Sequence, residues 1–325
     1  MSNTEAHPAE LNCTAASSQG EVEILAPRDV PLGGPRAMLV RRTLPQRQRS
    51  FIGAWCFADH YGPEDVSDSG GMDVAPHPHT GLQTVSWLFT GEIEHRDSGG
   101  VHGLVRPGEI NLMTGGHGIC HSEVSTGNTT VLHGVQLWVA LPEHARDAPR
   151  DFQHHEPELV QLDGASLRVF LGSLAGSTSP VTTHTPLLGA ELLLEAGATI
   201  ELEVDPGFEH GILVDSGQAS VGTTTIDRGA LAYLPTGRRT ITLDNTGDGA
   251  TRIILLGGTP FDEDIIMWWN FVGRTHAEIT RFREEWEAHS DRFGAVEGYE
   301  GKTERIPAPP LPNAQLKPRR NPSSR

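Results

Sequence analysis

The sequence is short of several things, and each shortage removes a class of protein. It has three cysteines, Cys13, Cys56 and Cys120, an odd count that builds no disulfide framework and points to a reducing compartment. Apolar runs such as Ile253 to Leu256 are far too short to cross a bilayer, so no membrane span is expected. The opening residues, MSNTEAHPAELNCTAASSQGE, hold neither a basic leader nor an apolar stretch, so no signal peptide is expected and the reading is cytoplasmic. Basic residues are outnumbered, 25 Lys and Arg against 42 Asp and Glu, and the net charge of −17 argues against direct contact with nucleic acid.

What is plentiful is glycine (37), proline (23) and histidine (16) in a chain of 325 residues, long enough for two domains. From Val22 onward, short apolar runs alternate with turn signals: EVEILAP, AMLVRRTLP, LQTVSWLFTG, INLMTGG, TVLHGVQLWVALP. That rhythm predicts an all-β sandwich or barrel. It breaks at the polar tract around 146–158, read as a linker, and resumes through SLRVFLGSLAG, AELLLEAGATIELEV and TRIILLGG. The expected layout is a disordered segment 1–20, a first domain 21–145, a linker 146–158, a second domain 159–292 and a Pro-rich basic tail 293–325. The repeat between halves lies in layout, not in residue identity. One helix is expected near 275–289, with Thr275 as N-cap, Glu278 three residues on, and Ile279, Phe282 and Trp286 at helical spacing.

The chemistry-bearing residues come in two pairs. His77 and His79 are two apart, as are His121 and Glu123 in CHSE. On strands, residues two apart share a face, so two such strands would gather three imidazoles and one carboxylate around a point. That donor set suits a divalent transition metal, Fe(II) first, with Mn, Ni, Cu, Co or Zn possible, and leaves coordination positions open. Pro78 lacks a ladder donor, which places the first pair at the start or edge of a strand. His95 could line a pocket, whereas His102, His117 and His133 read as ordinary histidines. Asp97-Ser98-Gly99-Gly100 resembles a protease nucleophile loop but lacks its preceding glycine and reads as a hairpin turn. Cys120 beside His121 faces the other way on a strand and reads as a small buried hydrophobe.

HPHTGLQTVSWLFTGEIEHRDSGG, MTGGHGICHSE and HGVQLWVALP together resemble the pirin family within the cupin superfamily, with FADHYGP and GGTPFDEDIIMWWNFVGRTHAEI as further landmarks. The resemblance spans roughly 22–290 and implies two cupin barrels (jelly rolls) with a C-terminal helix. It implies one metal in the first barrel on His77, His79, His121 and Glu123, and none in the second, where His210 has no partner at that spacing. It also implies an activity: dioxygenase opening of the heterocycle of flavonols such as quercetin with O2, releasing CO, with Glu123 as catalytic base and Trp87, Phe89 and Met113 as candidate walls. The alternative it implies is a non-catalytic, redox-sensing regulator that binds a protein partner. A monomer is expected.

Overall fold

The computed structural model describes residues 22–32, 38–301 and 303–321. The segment 1–20, expected to be disordered, lies outside them. The first half forms β1 (Glu23–Leu25), β2 (Arg28–Leu32), β3 (Met38–Leu44), β4 (Trp55–Asp65), β5 (Asp73–His79) and β6 (Leu82–Thr90). It continues as β7 (Ile93–Asp97), β8 (His102–Val105), β9 (Ile110–Thr114), β10 (Ile119–Ser125), β11 (Val131–Ala140) and β12 (Asp151–His155). The second half forms β13 (Val160–Leu162), β14 (Ala165–Leu171), β15 (Ser173–Leu174), β16 (Ser177–Thr178), β17 (Leu187–Leu194), β18 (Thr199–Glu203) and β19 (Glu209–Ser216). After β20 (Ala219–Val221), β21 (Thr224–Ile226), β22 (Leu231–Leu234), β23 (Thr240–Asp244) and β24 (Thr251–Gly258) come the hairpin β25 (Ile266–Trp268) and β26 (Phe271–Gly273), then α1 (His276–Glu287).

The two halves repeat one topology, that of two cupin barrels. In the first, a seven-stranded sheet ordered β12-β9-β6-β11-β4-β3-β2 faces a four-stranded sheet β5-β10-β7-β8. In the second, β1-β22-β19-β24-β17-β14-β13 faces β18-β23-β20-β21. The large sheets pack against each other, so their central strands are buried on both faces. Along β24, Ile254 and Leu256 join the inter-barrel core while Ile253 and Leu255 fill the second barrel. This is why RIILLGG reads as an unbroken apolar run rather than an alternating one.

Three segments depart from the expected layout. The tract 146–158, read as a linker, contributes β12, which pairs with β9 through Phe152 opposite Met113. β1 crosses from the start of the first half to pair with β22 of the second barrel. The Pro-rich tail reads as mobile from its composition, yet Ala308 and Leu316 are buried with Trp268, Phe271, Ile279, Phe282 and Trp286 in one cluster that includes Cys120. The helix and tail cover the outer side of the small first-barrel sheet at Cys120, while Glu94, Arg96 and His102 further along it form a charged, partly exposed group. α1 begins at the expected cap: Thr275 and Glu278 form a reciprocal capping box, with Ile279, Phe282 and Trp286 on the buried side.

Candidate metal centre

β5 is the edge strand of its sheet, as the proline within the histidine pair requires. Its free edge is closed by other elements: Ile306 donates its N–H to the Pro76 carbonyl (2.9 Å) and Val272 to that of Thr80 (3.0 Å). On β10, His121 lies opposite His77 and Ile119 opposite His79, and a register shift separates His121 from Glu123. His77, His79 and His121 are fully buried and Glu123 is 1 % exposed.

The three imidazoles converge, with one nitrogen from each lying within 4.8 Å of the others. His79 Nε2 stands 3.0 Å from His121 Nε2, and the rings of His77 and His121 are 4.3 Å apart. His77 donates its Nδ1 proton to the Ala75 carbonyl (2.8 Å), leaving Nε2 buried without a hydrogen-bond partner among the described residues. Burial pushes His77 down to about 4, and burial followed by neighbouring imidazoles holds His79 and His121 well below the usual imidazole range. At neutral pH all three are therefore uncharged and offer lone pairs. A buried orphan nitrogen among neutral imidazoles fits a transition-metal ion, with His77, His79 and His121 as the nitrogen donors.

Glu123 is grouped differently. Its carboxylate lies within reach of His121 and His95 rather than of all three histidines at once. Ser86 Oγ stands 3.4 Å from Glu123 Oε1 and donates to Gln136 Oε1 at 2.9 Å. The far wall of the barrel adds Trp138, edge-on to His79 at 5.2 Å, and the buried Tyr61 hydroxyl, which has no hydrogen-bond partner among the described residues. Burial, then the charge of Glu123, pushes the Tyr61 phenol well above its usual range.

Sequence reasoning undervalued His95 and Asp97. His95 Nδ1 is 3.3 Å from His121 Nδ1, and His95 Nε2 is 3.2 Å from Asp97 Oδ2. Their signal was available, since His95-Arg96-Asp97 repeats the spacing of His77 and His79. Other candidates fall elsewhere. His133 joins His60 on Asp215 Oδ1, at 2.5 and 2.6 Å, between the barrels. Arg41 Nε donates to His60 Nδ1 (3.2 Å), so the His60 proton sits on Nε2 and points at Asp215, an arrangement of hydrogen bonds rather than of metal donors. Trp87 also faces the barrel interface, where its indole N–H donates to Glu191 Oε2 (2.8 Å), so it is not a wall of this centre. Phe89 packs on His133 at 4.8 Å on that same side. Met113 alternates with Leu112 of the inter-barrel core and so faces the barrel interior. His102 is exposed beside Glu94, and Cys120 lies in the outer cluster, its thiol pushed up to about 11 by burial. In the second barrel the corresponding small sheet buries Ile200, Leu202, Ile241 and Leu243, two aliphatic pairs at the same spacing.

The chain matches the Pirin family over residues 37–139 and the Pirin C-terminal cupin domain over 189–294. A Pseudomonas aeruginosa protein named "Putative quercetin 2,3-dioxygenase" is 43% identical over 317 residues, 96% of this chain and 98% of that one. A pirin-like protein of Caulobacter vibrioides is 33% identical over 260 residues, 77% and 88% of the two chains. The crystal structure of a quercetin 2,3-dioxygenase from Acinetobacter baumannii superimposes with a TM-score of 0.85 at 39% identity, covering 90% of this chain and 96% of that one.

Proposed function

This chain belongs to the pirin family, and from that premise we propose that it is a metal-dependent dioxygenase opening the heterocycle of flavonols such as quercetin with O2 and releasing CO. The observation that carries the reading is the convergence of three buried, neutral imidazoles inside one barrel. His77, His79, His121 and Glu123 are the proposed ligands, and Fe(II) the expected ion. When bound, such an ion supplies Lewis acidity that favours loss of a proton from a substrate hydroxyl. Glu123 is the carboxylate placed to accept that proton, with Ser86 beside it to steady the oxygen. Trp138 and Tyr61 border the space in which a planar aromatic substrate would lie. The solved dioxygenase at 39% identity supports the substrate class.

The protein is proposed to work as a cytoplasmic monomer. Its two large sheets already bury each other, and among the described residues the exposed large hydrophobics are only Ile24, Leu39, Leu159 and Leu193. Among those residues, too, no helix is long and apolar enough to cross a membrane. The test is to load the purified protein with Fe(II) and follow quercetin absorbance and CO release in air. Turnover is expected, with His121→Ala losing both metal and activity and Glu123→Gln lowering kcat by about 10²–10⁴-fold. Metal-loaded protein that leaves quercetin intact rejects the reading; a co-purifying protein partner would then favour the regulatory alternative.

A further inference from the structure

Asp97, in the turn whose sequence looked incidental, is tied to the candidate ligands by a chain of buried hydrogen-bonding groups. Its Oδ1 accepts the backbone N–H groups of Gly99 (2.7 Å) and Val101 (3.2 Å). Gly100 turns the chain there with φ of 90°, a conformation glycine adopts without strain. The turn is clamped from outside as well, for Ser98 N–H donates to the Cys120 carbonyl (2.8 Å) and Cys120 N–H to Ser98 Oγ (3.1 Å). Asp97 is thus fixed beside β10, opposite His121 in register. Its other oxygen, Oδ2, faces His95 Nε2 at 3.2 Å. The His95 ring is held by Phe152 of β12, 4.9 Å away.

We propose that Asp97 and His95 are positioning residues that set the tautomer of His121 and so keep its Nε2 free for metal. An ionised carboxylate only accepts, so His95 Nε2 carries the proton and His95 Nδ1 the lone pair. His95 Nδ1 faces His121 Nδ1 at 3.3 Å, which makes His121 Nδ1 the donor. The His121 lone pair then lies on Nε2, the atom 3.0 Å from His79 Nε2 in the cluster. The relay is two imidazoles long, a carboxylate acting on a ligand through an intervening histidine. His95, Asp97 and His121 are all under 5 % exposed, so water does not substitute for either partner.

Asp97→Asn separates this role from turn-building. The carbonyl oxygen of the substituted amide would still accept from Gly99 and Val101, while its NH2 group would present a donor to His95 Nε2. The proton then moves to His95 Nδ1 and, in turn, from His121 Nδ1 to Nε2, the face a metal would use. The inference rests on His121 being a ligand, and the experiment keeps the two claims apart. Co(II) is titrated into wild type, Asp97→Asn and His95→Phe against a chelator, and histidine tautomers are read by 15N NMR in metal-free protein. Wild type is expected to bind Co(II), with His121 protonated at Nδ1 and His95 at Nε2. Asp97→Asn is expected to bind about 10–100-fold more weakly, with both tautomers inverted. Equal affinity in Asp97→Asn, or a wild-type His95 protonated at Nδ1, overturns the relay. Wild type that takes up no Co(II) overturns the ligand reading, and the tautomers still decide the relay. If Asp97→Asn does not fold, the same two readouts on His95→Phe decide it, unchanged affinity counting against.

Discussion

His210 is fully buried on the inner face of the second barrel, and among the described residues neither ring nitrogen finds a hydrogen-bond partner. Burial holds its pKa down to about 4. In the unfolded chain an imidazole titrates at about 6.5, so between those values the unfolded state binds a proton that the folded state refuses. The contribution is complete above pH 6.5 and fades as pH falls towards 4, by about 3 kcal/mol in full. A His210→Phe variant should therefore lose less stability on acidification than wild type, as read from denaturant midpoints across that window; parallel curves for the two proteins would rule the account out. At this scale the sequence was legible where chemistry repeats at strand spacing. The three histidines of the pairs on β5 and β10 lie together, whereas Glu123, beyond the register shift, groups with His121 and His95. His133 was not legible, because its partners His60 and Asp215 come from strands far apart in the chain and meet only when the barrels dock.

At the scale of single elements, α1 was readable because its signals are local. Thr275 Oγ1 accepts the Glu278 N–H (3.2 Å), and Glu278 in turn accepts the backbone N–H of Arg274 (2.7 Å) and of Thr275 (3.3 Å). Thr275→Ala should cost about 1 kcal/mol, seen as a lower denaturant midpoint with Co(II) binding unchanged. A shift in metal affinity would mean that the helix start supports the small first-barrel sheet more directly than its contacts imply. The tail gave no such signal. Its buried Ala308 and Leu316 sit among prolines at no regular period, and composition alone favours a solvated strand of chain. What fixes it is the sheet beneath: β5 is an edge with two prolines, and Ile306 and Tyr299 bind at Pro76 and Asp73. The linker reading failed for a related reason, since the polar face of β12 hides its pairing with β9.

Across the whole molecule, a buried polar contact between the barrels centres on Asp215. Burial alone would raise its pKa, but the hydrogen bonds from His133 and His60 hold it far below the usual carboxylate range. Arg252 adds a contact to its other oxygen at 3.2 Å and bridges to Glu191 at 2.9 Å. Asp215→Ala would leave two buried imidazoles without their acceptor and Arg252 with Glu191 alone, at a cost of about 3–5 kcal/mol in chemical denaturation. A loss under about 1 kcal/mol would show that the apolar core between the large sheets holds the barrels alone. The two-barrel layout was readable from the rhythm of turns, whereas the exchange of β1 was not, because three residues carry no mark of which barrel they join. That exchange bears on how the protein is made. Glu23–Leu25 leaves the ribosome early, yet its partner β22 follows on the order of tens of seconds later at ordinary elongation rates. The first barrel can close meanwhile, but β1 must wait unpaired, so the second barrel is completed by a strand made before the first barrel.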